Sequence, residues 1–324
     1  MKSFTITDKD ANQRLDKFLV KALPSLPNTL MYKYIRLKRV KLNGKRAEIS
    51  TRLKAGDVLD LYINDEFFEK PEPHYDFMGA SRNIKIVYED DNVLLLDKAP
   101  GLLCHPDGNE YVDTLIARVK RYMYDKGEYD PDDSGLCSFA PALVNRIDRN
   151  TGGIVIAAKN PEALRILNQK MKDRELTKLY LCVVCGKLDS DEGILGGYLE
   201  KNEAQNRVYV SRKRTDNSRE IRTKYRVLGF LDGLSLIEVE LLTGRTHQIR
   251  AHFASVGHPL LGDGKYGTNE LNKRFGGYKK QLLYSYCLEF KFTTDAGILS
   301  YLNGKRFEVE NVWFRDAFFD GNIK

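Results

Sequence analysis

Residues 142–186 read ALVNRIDRNTGGIVIAAKNPEALRILNQKMKDRELTKLYLCVVCG. Two short apolar runs, ALVNRID and GIVIAAK, have the length and β-branched content of buried strands, and the glycines Gly152 and Gly153 lie at the turn between them. PEALRILNQKMKDRE then places its apolar residues on one face of a helix, and KLYLCVVCG returns to strand. Upstream, IKIVYEDDNVLLLDKAPG (84–101) has the pattern of a hairpin turning at Glu89–Asn92. Downstream, LSLIEVELLT (234–243) predicts a strand that leads into a helix over THQIRAHFASVG (246–257). Runs of strands with helices at irregular intervals predict an α+β protein with a mixed, largely antiparallel sheet rather than a doubly wound one. The polar, acidic stretch 125–136 predicts a surface loop.

The N-terminal segment has a different character. Leu15, Phe18, Leu19 and Leu23 follow helical spacing, and a second helix is expected from Asn28 or Thr29 to about Lys38. Val40, Leu42 and the turn Asn43-Gly44 predict a short hairpin, and Val58–Ile63 a closing strand. Residues 14–64 hold 12 Lys/Arg against 4 Asp/Glu, a net of +8, which leaves 40 against 41 for the rest of a chain whose total is +7. All the excess positive charge therefore lies in the first fifth. Lys33, Arg36, Lys38, Arg39, Lys41, Lys45 and Arg46 follow one another with no acid between them. A charge run is ordinarily a solvated face, but single-sign charge this dense in a small module favours phosphate binding. These features predict a small basic polyanion-binding domain over 1–65, a proline-containing linker over 66–82 and a larger domain over 83–324.

The 324 residues, 42% apolar and 10% aromatic, are ample for a sizeable core and exclude a wholly disordered chain. No apolar run is long enough to span a bilayer, and MKSFTITDKD lacks the apolar centre of a secretory leader, so a cytoplasmic protein with no membrane partner is expected. Five scattered cysteines (Cys104, Cys137, Cys182, Cys185, Cys287) suit a reducing compartment. Cys182 and Cys185 are three apart on an expected strand and so point to opposite faces, which argues for core thiols and against a metal site.

Two motifs carry chemistry. In Asn145-Arg146-Ile147-Asp148-Arg149-Asn150-Thr151-Gly152-Gly153, a carboxylate falls between two arginines and a glycine turn. Nearby guanidiniums favour the ionised form, and glycines permit close approach of a ligand or a second backbone. Taken alone, such an Asp is better explained as a turn cap or an ion-pair partner. In Thr243-Gly244-Arg245-Thr246-His247-Gln248-Ile249-Arg250-Ala251-His252, Thr243 or Thr246 is expected to cap the helix. His247, His252 and His258 invite a zinc reading. Residues five apart on a helix stand about 140° from one another, however, and no carboxylate lies beside them, so neither a metal nor another cofactor is expected.

Together with KAPGLLCHP (98–106), the KLYLCVVCG strand and TGRTHQIRAHFASVGHPLLGD (243–263), the motif around Asp148 resembles the RluA-type pseudouridine synthase family in order and spacing across roughly 84–290. The basic N-terminal segment resembles the small RNA-binding module named after ribosomal protein S-four. The resemblance implies that Asp148 is the catalytic carboxylate, that Tyr180 lies against the target base and that Arg245 is the partner of Asp148. It also implies structured RNA as substrate, large-subunit ribosomal RNA ahead of transfer RNA, with no obligate protein partner. Three positions depart from the family's more usual pattern: Asn145 and Tyr284 stand where a His is common, and Gly152 where a Ser is.

Bottom-up chemistry accommodates that reading. Moving uracil from its nitrogen-1 bond with ribose to a carbon-5 bond oxidises nothing and consumes no water, and the leaving base stays bound. One carboxylate therefore suffices where a glycosidase needs two. A uracil in folded RNA must be flipped out, at a few kcal/mol of unstacking. Contacts that offset this are expected from the N-terminal basic run and from Arg207, Arg212, Lys213, Arg214, Arg219 and Arg222 on a hairpin insert. Either Arg146 or Arg149 is a candidate to fill the vacated space. Two rival readings compete: a non-catalytic RNA-binding or ribosome-assembly protein, which needs only the basic module, and a metal-dependent nuclease, which needs clustered carboxylates that this chain lacks around Asp148.

Overall fold

The computed structural model describes residues 1–7, 10–23, 25–68, 75–132, 139–205 and 207–323. They form two compact units, one of Met1–Met78 with Met123–Ala140 and the other of Gly79–Tyr122 with Pro141–Lys324. This division differs from a simple break over 66–82. Tyr124 and Tyr129 pack edge-on or tilted against Phe77, with ring centroids under 6 Å apart, which ties the 123–140 segment to the N-terminal unit. Residues 69–74 of the expected linker lie outside the described residues, as do 133–138 of the expected surface loop, with Cys137 among them.

In the first unit β1 (Lys2–Thr5) precedes α1 (Leu15–Ala22) and α2 (Asn28–Arg36), followed by β2 (Val40–Leu42), β3 (Lys45–Arg46) and β4 (Val58–Leu61). The antiparallel strand order is β1-β4-β2-β3. Leu15, Phe18 and Leu19 are buried as their spacing requires, together with Leu23, Met31 and Ile35. Asn43 (φ 50°) and Gly44 (φ 73°) both occupy the left-handed region, the geometry of a tight two-residue hairpin turn. α2 stops two residues short of Lys38, which itself sits at φ 60°. β1 carried no sequence signal: it is four mostly exposed residues held by pairing with β4.

In the second unit the elements are β5 (Ile86–Glu89), β6 (Val93–Lys98), α3 (Leu115–Asp125, which runs on into the first unit), β7 (Ala142–Leu143), β8 (Gly152–Ala158), α4 (Pro161–Lys172), β9 (Leu176–Cys185), β10 (Glu192–Asn202), β11 (Arg207–Ser211), β12 (Arg219–Leu231), β13 (Leu234–Leu241), α5 (Gln248–Ser255), α6 (Asn269–Arg274), β14 (Leu283–Phe290), β15 (Arg306–Glu308) and α7 (Trp313–Phe319). One sheet runs β11-β10-β12-β13-β9-β14-β8-β6-β5, with β15 on β14 and β7 on β8. Every pairing is antiparallel except β14 with β8. The α+β class and the mixed, largely antiparallel sheet are thus observed. α4 begins where sequence chemistry places it: the Asn160 side chain accepts from Ala163 N–H at 2.8 Å, and Pro161 opens the first turn. Cys104, Cys182, Cys185 and Cys287 are buried free thiols.

The basic insert differs in connection from the expected hairpin. β10 lies between β11 and β12, so Arg207 is on β11, Arg219 and Arg222 are on β12, and Arg212, Lys213 and Arg214 are exposed in the crossing between those strands.

Candidate active site

Asp148 stands in a loop made by peeling the chain off the sheet. Val144 N–H still donates to Ile156 O at 2.8 Å, but Ile156 N–H is accepted by the side-chain Oδ1 of Asn145 at 2.8 Å. One side-chain bond thereby replaces a ladder bond. ALVNRID is therefore strand only over Ala142–Leu143, a correction to the longer strand its apolar residues predicted. The Asn that departs from the family pattern performs this anchoring.

The other two departures belong together. Tyr284 on β14 lies beside Gly152 in the parallel register, and a Cβ at Gly152 would come within 2.3 Å of the Tyr284 ring. The missing side chain at 152 makes room for the larger one at 284, whose hydroxyl donates to Asp97 at 2.5 Å. Gly153 has no such alternative: at φ 111°, a Cβ there would lie 2.1 Å from the Ser285 carbonyl oxygen. From below, buried Lys98 donates to the carbonyls of Ala99 (3.1 Å), Leu102 (2.8 Å) and Arg149 (2.9 Å), tying the KAPGLL loop to the Asp148 loop. Burial lowers the Lys98 ammonium to about 8.

Asp148 Oδ2 accepts a hydrogen bond from Arg250 Nη1 at 2.9 Å, and His247 Nε2 lies 3.8 Å from the same oxygen. Arg250 turns its other edge to Asp263, with Nε and Nη2 donating at 2.7 and 2.9 Å to the two oxygens of a carboxylate that is 0% exposed. One guanidinium thus bridges two carboxylates. Burial opposes its charge, yet the bonds and fields of Asp263 and Asp148 hold its pKa above the ordinary arginine value. Burial likewise raises the Asp263 pKa, and Arg250 more than reverses this, leaving it below the usual carboxylate range.

The expected pairing of Asp148 with Arg245 is therefore corrected: the partner is Arg250. Sequence reasoning started the helix at a threonine cap. In the structure α5 begins at Gln248, the cap position is His247 at φ 54°, and neither Thr243 nor Thr246 caps it. Instead the Gln248 side chain folds back, accepting from Thr243 Oγ1 (2.9 Å) and from Arg245 N–H (3.1 Å). The later start puts Arg250 in the first turn, where helical side chains lean toward the N-terminus and so toward the Asp148 loop. Arg245 is left exposed in the preceding turn.

These groups surround a cavity of about 660 Å³ whose wall includes Asp148, Tyr180, Arg245, Arg250, Arg146 and Arg149. The Asp148 side chain is 24% exposed into this opening. Tyr180, on β9, is 6% exposed, and burial pushes its phenol up to about 12, so it is a protonated hydroxyl at neutral pH. Arg149 Nε donates to Gly101 O at 3.1 Å, whereas exposed Arg146 has no side-chain partner among the described residues. In the N-terminal unit Lys33, Arg36, Lys38, Arg39, Lys45 and Arg46 are exposed and Lys41 is half-buried. None of the seven joins an ion pair among the described residues, although Arg39 rests over Tyr34 and Lys41 over Tyr62.

The three histidines do not converge: His247 Nδ1 meets Tyr266, His252 Nδ1 meets Thr223, and His258 Nδ1 meets the carbonyl of Cys185. Among the described residues no three His, Cys, Asp or Glu side chains group as metal ligands, and no helix is long and apolar enough to cross a membrane. Sequence reasoning missed Arg250, Asp263, His247 and Tyr266 as site residues. One signal was present: a carboxylate directly after the apolar HPLLG run is a charge headed for burial, which demands a partner.

Comparison with known proteins agrees with this geometry. The RNA pseudouridylate synthase family matches residues 92–255, and the S4 domain matches residues 13–59. An RNA pseudouridine synthase of Mycoplasma genitalium is 33% identical over 290 residues, covering 89% of this chain and 88% of that one. Ribosomal large subunit pseudouridine synthase C of Vibrio cholerae is 32% identical over 284 residues, covering 86% and 83%. Among solved structures, human RNA pseudouridylate synthase domain containing 4 shares the fold at a TM-score of 0.54 and 18% identity, covering 70% of this chain and 88% of that one. With a catalytic-domain match over half its length and relatives matching over most of it, this chain belongs to the RNA pseudouridine synthase family and carries an N-terminal S4 RNA-binding domain.

Proposed function

We propose that this enzyme converts specific uridines of structured RNA, large-subunit ribosomal RNA first among them, to pseudouridine, with Asp148 as the one catalytic carboxylate acting on a flipped-out nucleotide. The observation that carries this reading is the place of Asp148: an accessible carboxylate held by Arg250 in the wall of a cavity that buried Tyr180 also lines. Arg250 holds the carboxylate in a fixed orientation through its hydrogen bond to Oδ2. Asp148 then acts on the ribose, by attack on the sugar carbon or by taking a sugar proton, and the released uracil rotates and rejoins through carbon 5. Tyr180 stacks on the base and offers a hydroxyl to a proton in transit. Arg146, exposed and with no side-chain partner among the described residues, fills the space the base leaves, because the Arg149 guanidinium is already bonded to Gly101. The S4 domain and the exposed Arg212, Lys213 and Arg214 contribute backbone contacts that offset the unstacking cost. The relatives named for the ribosomal large subunit support that choice of RNA.

The test is to map pseudouridines in total RNA from cells with and without the gene, then to reproduce each lost site with purified protein. Sites lost from large-subunit RNA and restored by wild type, but not by Asp148→Asn, are expected. No lost site in any RNA, or activity in the Asn variant within about tenfold of wild type, overturns the reading.

A further inference from the structure

Asp263 does more than clamp Arg250. Its Oδ1 also accepts the backbone N–H groups of Lys265 (2.8 Å) and Tyr266 (3.1 Å), which fixes Tyr266 beside the catalytic loop. The Tyr266 hydroxyl oxygen accepts from Val208 N–H on β11 at 3.0 Å and lies 2.9 Å from His247 Nδ1. With one lone pair taken by Val208 N–H, the phenol can still donate its own proton to Nδ1. A neutral imidazole that accepts at Nδ1 carries its own proton on Nε2, and Nε2 is the atom that faces Asp148 Oδ2 at 3.8 Å. Burial lowers the His247 pKa, against the pull of Asp148, which keeps the ring neutral near pH 7.

We propose that His247 is a positioning residue for Asp148 and that Tyr266 sets its action by fixing the ring tautomer. With Nε2 protonated, His247 offers the carboxylate a second donor beside Arg250. The opposite tautomer would turn a lone pair toward Oδ2 and push the carboxylate away. Two further observations bear on this. His247 is held at φ 54°, a left-handed conformation uncommon for a residue with a side chain. The Arg250 guanidinium lies 5.2 Å from the centre of the Tyr266 ring, so both donors at Oδ2 rest on one tyrosine.

The inference rests on the role proposed for Asp148, and its test separates the two. Full-length wild-type protein labelled with nitrogen-15 histidine reports the tautomer through long-range proton–nitrogen correlations, His247 being assigned by its loss in His247→Gln. A protonated Nε2 is expected; a protonated Nδ1 overturns the proposal without reference to activity. Single-turnover isomerisation then compares variants. His247→Gln, whose amide nitrogen reaches the Nε2 position, is expected to stay within about threefold of wild type, whereas His247→Asn and Tyr266→Phe fall about tenfold with RNA affinity unchanged. Equal losses in Gln and Asn overturn the proposal. Should Tyr266→Phe fail to fold, the tautomer and the Gln/Asn contrast still decide it. A wild-type chain that isomerises no uridine overturns the role of Asp148 instead.

Discussion

The two basic regions of this molecule use positive charge in opposite ways. In the S4 domain, Lys33, Arg36, Lys38, Arg39, Lys45 and Arg46 are exposed and without ion-pair partners among the described residues. In the wall of the cavity beside Asp148, Arg250 is buried and shared between two carboxylates. Exposed charge acts at a distance, is screened by salt and tolerates replacement by any group of the same sign. Buried charge is set by geometry, resists salt and is costly to disturb. Charge density along the sequence finds the first kind and says nothing about the second.

The contrast is tested most strongly at Asp148. Asp148→Asn should lower the single-turnover rate by at least ~10⁴-fold, about 5 kcal/mol, while leaving RNA affinity nearly unchanged. A comparable fall in affinity would place Asp148 among the binding groups. Next in size is Asp263→Asn, which removes the charge and one acceptor from the partner that takes two of the three hydrogen bonds of buried Arg250. A loss of roughly 3–5 kcal/mol is expected from denaturant midpoints. Because the folded Asp263 pKa is depressed, the stability it lends is present above the unfolded value near ~4 and disappears as pH falls through the folded one. The gap between wild type and Asp263→Asn should therefore narrow in acid; a gap constant down to pH ~2 would show that charge is not its origin.

Arg250→Lys keeps the charge but loses the fork that spans Asp148 and Asp263, and about a hundredfold loss in the chemical step is expected. Arg245→Lys, exposed at the cavity rim, should alter that step by less than about threefold. Reversal of the two effects would restore Arg245 as the functional partner. The smallest effect belongs to the S4 domain. Replacing Lys38, Arg39 and Lys41 together by Gln in the full chain should reduce the slope of log affinity against log salt by up to about 2. An unchanged slope would make this run a solvated face.

The sequence by itself determined the α+β class, the N-terminal helices and hairpin, and the buried free thiols Cys104, Cys182, Cys185 and Cys287. Each of these is written in local spacing or in a contiguous motif, where neighbours in sequence are neighbours in space. Strand β1, three exposed residues and the half-buried Phe4, is held in place by the edge that β4 offers it. The partner of Asp148 was decided 102 residues away by where α5 begins, and that start is fixed by the Gln248 side chain folding back on Thr243 and Arg245. Arg245 lies before that start and Arg250 in the first turn after it, so the later arginine meets the carboxylate. Ion pairs of this kind are long-range and directional, so tertiary packing alone selected Arg250 over Arg245 and set Asp263 and His247 beside it.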